Sequence, residues 1–240
     1  MTGTTPSTPS PPSQPWAERA ADRSPSVQRS RTRSLKHTRV IIDAARRLID
    51  EKGTRFTTQD LVKEAHVALQ TFYRHFAGKD QLLVAVLGDY IAEASARYEE
   101  EARGLAGPVA RIHFYLTAIL RGLDSRPSSE GGPQFITAEH WRLHQVFPDE
   151  MAEATRPFTE LVLREIREAV AAGQLSPADP ERAAWHVSQL AMVVYHHYAF
   201  ARTDETVEEI SDHLWQFCLG ALGGPPSSRQ SQATASEDPS

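Results

Sequence analysis

An all-helical protein, with a small helix-turn-helix domain set in front of a larger helical domain, is what the sequence predicts, and three observations predict it. Helix-forming residues dominate the middle of the chain, and no segment sustains the period-two alternation of a half-buried strand. Two short apolar-periodic runs separated by a tight turn occupy Thr57 to Phe76. The charge is split: the chain as a whole carries −5, yet Arg23 to Asp80 carries +7 and leaves −12 for the remainder. With 240 residues there is room for one large or two smaller domains and an ample core.

Residues 1–34 are rich in Pro, Ser and Thr and hold too little apolar surface to fold alone, so a disordered arm is expected there. Its basic end runs into Arg29, Arg31, Arg33, Lys36 and Arg39, with no acid between Asp22 and Asp43. A first helix is expected from Leu35 to Lys52, burying Val40, Ile41, Ala44, Ala45, Leu48 and Ile49, and ending at Gly53, where glycine takes a positive φ without strain. Residues 35–95 then make one domain, closed by a long helix from Gly78 to Arg103 whose Leu82, Leu83, Val86, Leu87, Tyr90 and Ile91 face inward. Past the break at Gly104 to Pro108, a second domain reaches residue 222 through helices expected at Pro108–Asp124, Phe135–Gln145, Asp149–Ala172, Asp179–Arg202 and Glu205–Leu222. Pro127, Gly131-Gly132-Pro133, Pro148, Gly173 and Pro177 mark their boundaries. Ser125 to Gln134 reads as a mobile loop, and residues 223–240 as an unstructured polar tail.

Thr57 and Thr58 are suited to cap a helix, with Asp60 in its first turn, and Leu61, Val62 and Ala65 fall on one face. After Ala65-His66-Val67 comes a second short run, in which Val67, Phe72 and Phe76 point one way and Gln70, Thr71, Arg74 and His75 point elsewhere. Two short helices around a tight turn, the second with amide, hydroxyl and cationic side chains outward, suit a DNA major groove.

The order of residues from Thr38-Arg39 through VIIDAARRLIDEKG, Phe56-Thr57-Thr58, TFYRHF and Gly78-Lys79-Asp80-Gln81-Leu82-Leu83 closely resembles the TetR family of bacterial transcription repressors. The likeness covers about a quarter of the chain, from Thr38 to Ile91, and departs from the family at His66, Ala68, Leu69 and Gln70, where glycine, serine, lysine and glycine are common. The fold tolerates these changes, but base preference need not follow any relative. What the resemblance implies is a homodimeric repressor of a palindromic operator, released by a small, largely apolar ligand. Gln70, Thr71 and His75 are candidates for base-edge contacts. Arg39, Thr58, Tyr73, Arg74 and Lys79 are candidates for phosphate, and Thr57, Gln59, Ala68 and Leu69 complete the expected DNA-facing set.

In the second domain the last two helices carry apolar faces, Ala183, Ala184, Val187, Leu190, Ala191 and Val194 on one and Val207, Ile210, Leu214, Phe217 and Ala221 on the other. The family's final two helices form an intersubunit four-helix bundle, so these faces are the expected dimer interface; the other reading is core within one chain. Phe114, Trp141, Phe147, Phe158, Trp185 and Tyr195, with Gln189, His113, His140 and His144 as polar partners, are candidates for an effector pocket.

Other functions are disfavoured. The pairs His140/His144 and His196/His197 have no cysteine or carboxylate completing a metal set, and no metal or cofactor is expected. No histidine follows a glutamate by three, as a helical di-iron site needs, and neither a phosphate loop nor a GxSxG elbow occurs. The single cysteine, Cys218, rules out an internal disulfide and fits a reducing cytoplasm, and MTGTTPSTPSPPSQP has no apolar core for a signal peptide. An architectural DNA binder without an effector is the competing class.

Overall fold

In a computed structural model, Trp16 and residues 24–124, 133–201 and 203–224 are described. Among them are nine α-helices and no strand. They are α1 (Pro25–Lys52), α2 (Thr58–Glu64), α3 (Leu69–His75), α4 (Lys79–Glu101), α5 (Pro108–Leu120), α6 (Pro133–Val146), α7 (Pro148–Ala171), α8 (Pro180–Tyr198) and α9 (Val207–Ala221).

The first helix corrects the expected disordered arm, because it starts at Pro25 and not near Leu35. Proline at the first helical position lacks only an N–H that has no intrahelical partner, and its φ is already helical. Once the buried stripe of Ile41, Ile42, Ala44, Ala45, Leu48 and Ile49 nucleates the helix, each further residue toward the amino end adds one backbone hydrogen bond without a new nucleation cost. Residues 25–36 are accordingly helical yet fully exposed. The expected disorder of residues 1–15 and 17–23, the 125–132 loop and the tail from 225 onward lie outside the described residues.

Two cores form, each for a separate task. In the first, the α1 stripe closes over Phe56, Leu61, Phe72, Phe76, Leu82, Leu83 and Leu87, and two side chains of the second half, Leu143 of α6 and Met151 of α7, complete it. The second core packs Ile112, Tyr115 and Leu116 of α5 against Leu161, Val162 and Ile166 of α7, Ala184, Val187 and Ala191 of α8, and Ile210 and Leu214 of α9. A buried carboxylate pins α5 to α7: Glu165 accepts from Arg111 Nε at 2.7 Å and from the Tyr115 hydroxyl at 3.3 Å. Burial and that carboxylate push the Tyr115 hydroxyl up to about 12. Cys218 of α9 is 1% exposed in the same core, and burial pushes its thiol up to about 11.

This packing corrects the expected dimer faces. Ala184, Val187, Ala191, Val207, Ile210 and Leu214 are buried inside their own chain. The small side chains of Ala184 and Ala191 let α8 approach α5 and α7 closely, and a helical stripe carries no label for which partner covers it. Ala183, Leu190 and Val194 are half-buried against that core, while Phe217 and Ala221 remain outside. The large apolar side chains left exposed along α8, just after it and on α9 are Trp185, Val193, Phe200 and Phe217.

Candidate nucleic-acid interface and ligand cavity

The start of α2 is fixed by reciprocal hydrogen bonds. The Asp60 N–H donates to the Thr57 hydroxyl at 3.1 Å, and the Asp60 carboxylate accepts from the Thr57 N–H at 2.8 Å. The backbone and hydroxyl of Thr57 hold the Asp60 carboxyl down at about 2. After Ala65 the chain reverses at His66, whose φ of 52° is the one positive value at a non-glycine among the described residues. Ala68 then precedes α3 without a side-chain cap, as its methyl group dictates.

Phe72, fully buried, and Phe76 anchor α3, their rings stacked 6.0 Å apart. The opposite face carries Leu69, Gln70, Tyr73 and Arg74, all exposed, with Thr71 and His75 half-buried. Among the described residues, Gln70 and Arg74 have neither a hydrogen-bond nor an ion-pair partner, so a donor-acceptor amide and a cation stand open to solvent there. Gln59 is exposed and Thr58 half-buried on the neighbouring α2.

The other DNA candidates have internal attachments. Lys79 Nζ donates to the Phe56 carbonyl at 2.7 Å and lies 4.4 Å above the Phe56 ring, tying the start of α4 to the link before α2. Arg39 donates to Asp89 at 2.7 Å, and Arg46 bonds the same carboxylate at 2.7 Å. Surface pairs of this kind are worth about 0–1 kcal/mol, so a phosphate can still draw Arg39 away. His75 Nδ1 sits 3.2 Å from the Thr38 hydroxyl with its ring edge-on to His37, and burial together with His37 pushes it below its ordinary range.

The second half encloses a cavity of about 380 Å³ between α4, α5, α6, α7 and α8. Of the expected pocket residues, Phe158, Gln189, Tyr195 and His140 line it. Phe114, Trp141, Phe147 and Trp185 do not: Trp141 and Trp185 are half exposed on the outside, Phe147 packs against the first core and Phe114 against the second. His113 stacks on Trp215 at 5.0 Å, and His144 is exposed. An aromatic side chain contributes bulk wherever it is placed, and composition alone does not say which helix face it occupies. Tyr90, Ile91, Ser95 and Tyr98 of α4 also line the cavity. Their signal was present in the sequence, since Leu87, Ile91, Ser95 and Tyr98 continue one stripe at spacings of four, four and three.

The wall has a distinct polar character. Three hydroxyls donate to carbonyls of their own helices: Ser95 to Ile91 at 2.7 Å, Ser188 to Ala184 at 2.8 Å and Thr155 to Met151 at 3.1 Å. His140 faces His196 with ring centres 5.0 Å apart, and burial pushes both down to about 4, which keeps them neutral. His140 Nδ1 and both ring nitrogens of the 6%-exposed His196 lack hydrogen-bond partners. The charged residues of the lining are held by outward partners, Glu93 by Arg46 at 2.9 Å and Arg97 by Glu101 at 3.9 Å. Among the described residues no three His, Cys, Asp or Glu side chains are placed to hold a metal ion.

One helix touches both sites. Two residues after His140, Arg142 donates to the two oxygens of Asp80 at 3.0 and 2.8 Å and to Glu139 at 2.8 Å, while Leu143 enters the first core. Asp80 lies in the first turn of α4, just beyond α3.

Residues 41–86 match the family model of the bacterial regulatory proteins of the tetR family. No curated protein matches the chain in sequence. Among solved structures, RolR in complex with resorcinol is 18% identical with a TM-score of 0.64, the match covering 87% of this chain and 98% of that one. The Thermus thermophilus FadR, a TetR-family transcriptional repressor in complex with lauroyl-CoA, is 16% identical with a TM-score of 0.65, covering 80% of this chain and 97% of that one. The Bacillus subtilis FadR in complex with stearoyl-CoA is 16% identical with a TM-score of 0.58, covering 76% and 98% respectively. At these identities the likeness is one of fold.

Proposed function

The chain carries, in residues 41–86, the domain of the tetR family of bacterial regulatory proteins and is a DNA-binding transcriptional regulator; from that premise we propose a homodimeric repressor, released from a palindromic operator by a small molecule. The observation that carries this reading is α6. His140 on that helix borders the cavity and Arg142 holds Asp80 beside the recognition helix, so a ligand that shifts α6 changes the footing of α3. A ligand acts this way only through unequal affinity for the two arrangements.

On the DNA side, Gln70, Thr71 and Arg74 are the side chains offered to a groove, with Leu69 and Tyr73 flanking them. Thr57, Thr58, Gln59, Ala68, His75, Arg39 and Lys79 belong to the support of that surface or to phosphate contacts at its edge. The dimer is formed through the outer faces of α8 and α9, where Trp185, Val193 and Phe217 stand exposed. Resorcinol and acyl-CoA in the structural relatives support a small-molecule effector here. Among the described residues no helix is long and apolar enough to cross a membrane, consistent with a regulator acting in the cytoplasm.

Selection of bound duplexes from random DNA, followed by footprinting, tests the reading. One short two-fold-symmetric protected site supports it, whereas uniform coverage supports an architectural binder. Gln70→Ala should lower affinity for the selected site by about 1–3 kcal/mol with little change on unrelated DNA. Equal losses on both would remove Gln70 from base reading.

A further inference from the structure

We propose that the cavity takes a neutral molecule carrying a hydroxyl or similar hydrogen-bond donor on an apolar body, and rejects carboxylates of the same shape. The inference rests on the cavity being the effector site. It follows from which protons the wall has left to give. Ser95, Ser188 and Thr155 line the space, and each donates its proton to a backbone carbonyl one turn back. Each oxygen therefore offers lone pairs alone. A carboxylate would bring two more acceptors against them. No cation waits inside, since Arg97 is turned to Glu101 and its side chain is 60% exposed.

The imidazole of His140 adds one acceptor and one donor, and its neighbour His196 lacks partners at both nitrogens. That part of the wall has hydrogen-bonding capacity unspent and no charge. A buried anion without a partner is costly, whereas a hydroxyl meeting an acceptor-rich wall regains the hydrogen bond it loses on leaving water. Phe158, Ile91 and Met192 cover the rest of the ligand. The volume lies at the small end of the roughly 300–1,000 Å³ of ligand pockets, which suits a single or fused ring or a medium-length chain.

Calorimetric titration of the full chain with matched probes tests this: naphthol and decanol against naphthoate and decanoate, with naphthalene as the bare body. The expected result is that at least one hydroxylated probe binds, on the order of tenfold or more tighter than its carboxylate and its bare body. Ser188→Ala and Ser95→Ala, which leave helix and volume nearly intact, should each weaken the hydroxylated probe several-fold while helicity and melting temperature hold. Carboxylates binding as tightly as alcohols, naphthalene binding as tightly as naphthol, or no hydroxylated probe binding at all would each overturn the proposal. DNA selection on the unliganded protein reads the regulator assignment separately. A protein that selects an operator but binds only the carboxylates would refute this inference and leave that assignment standing.

Discussion

The two halves of the molecule solve opposite packing problems. Around α1 to α3 the interior is filled: Ile41, Ala44, Ala45, Phe72 and Leu82 are each wholly buried. Between α4 and α8 the chain leaves about 380 Å³ open, bordered by imidazole nitrogens without partners. A surface that must match a duplex needs fixed side-chain positions, which dense packing supplies. A chamber for a ligand needs vacancy and unspent polar capacity, both of which cost stability. The comparison teaches that rigidity and emptiness are assigned to different helices and meet at α6.

The largest expected effect that tests the contrast is Phe72→Ala. Removing a wholly buried ring from the filled half should cost about 3–5 kcal/mol in urea unfolding and abolish DNA binding, against roughly 1 kcal/mol or less for Met192→Ala in the half-buried cavity wall. Similar costs would mean the chamber wall is as tightly packed as the motif.

Next, Arg142→Ala strips Asp80 and the 9%-exposed Glu139 of their shared cation and should cost about 1–3 kcal/mol. Ligand should still bind the variant in calorimetry but no longer release DNA in a mobility assay; full release would place the coupling elsewhere than α6.

Acid should separate the halves further. His140 and His196 sit near 4 when folded against an ordinary 6.5, so the unfolded chain binds more protons between those values. The stability they confer by remaining neutral is complete above about pH 6.5 and falls as pH drops toward 4. Asp60, held at about 2 against 3.8, is lost to the α2 cap only below that window. Urea titrations followed by tryptophan emission, dominated by Trp141, Trp185 and Trp215 of the second half, should show the decline, and His140→Phe with His196→Phe should flatten it. An unchanged slope in the double variant would remove these histidines as its source.

The smallest effect is local to the motif. Ala68→Ser supplies the missing cap of α3 and should raise stability by about 1 kcal/mol in thermal unfolding. No gain would mean that the α3 amino end is already satisfied.

What could be read from the sequence divides along the same line. Thr57 with Asp60, the reversal at His66 and the uncapped Ala68 are settled within a few residues, so spacing alone placed them, and the inward pair Phe72 and Phe76 followed from period. The helix boundaries of the second half were equally local, with Pro108, Pro148 and Gly173 marking them. Which residues surround the chamber was not local. Trp141 and Trp185 are as apolar as Phe158, yet they face outward, because their azimuth on α6 and α8 depends on how five helices assemble. Ala184 and Ala191 form a stripe that any neighbour could cover, and α5 and α7 cover it. Pro25 and the residues after it lack a buried stripe and borrow their helix from the one that follows.

Cys218 gives the molecule a built-in chemical reporter. Its sulfur is enclosed among α9 core side chains and is almost wholly thiol at neutral pH, so an alkylating reagent meets no competent nucleophile in the intact fold. Modification must wait for the helices around it to part, and the labelling rate therefore clocks the opening of that bundle. A second cysteine introduced at the exposed Gln70 would take a dye selectively, leaving the buried thiol unmarked.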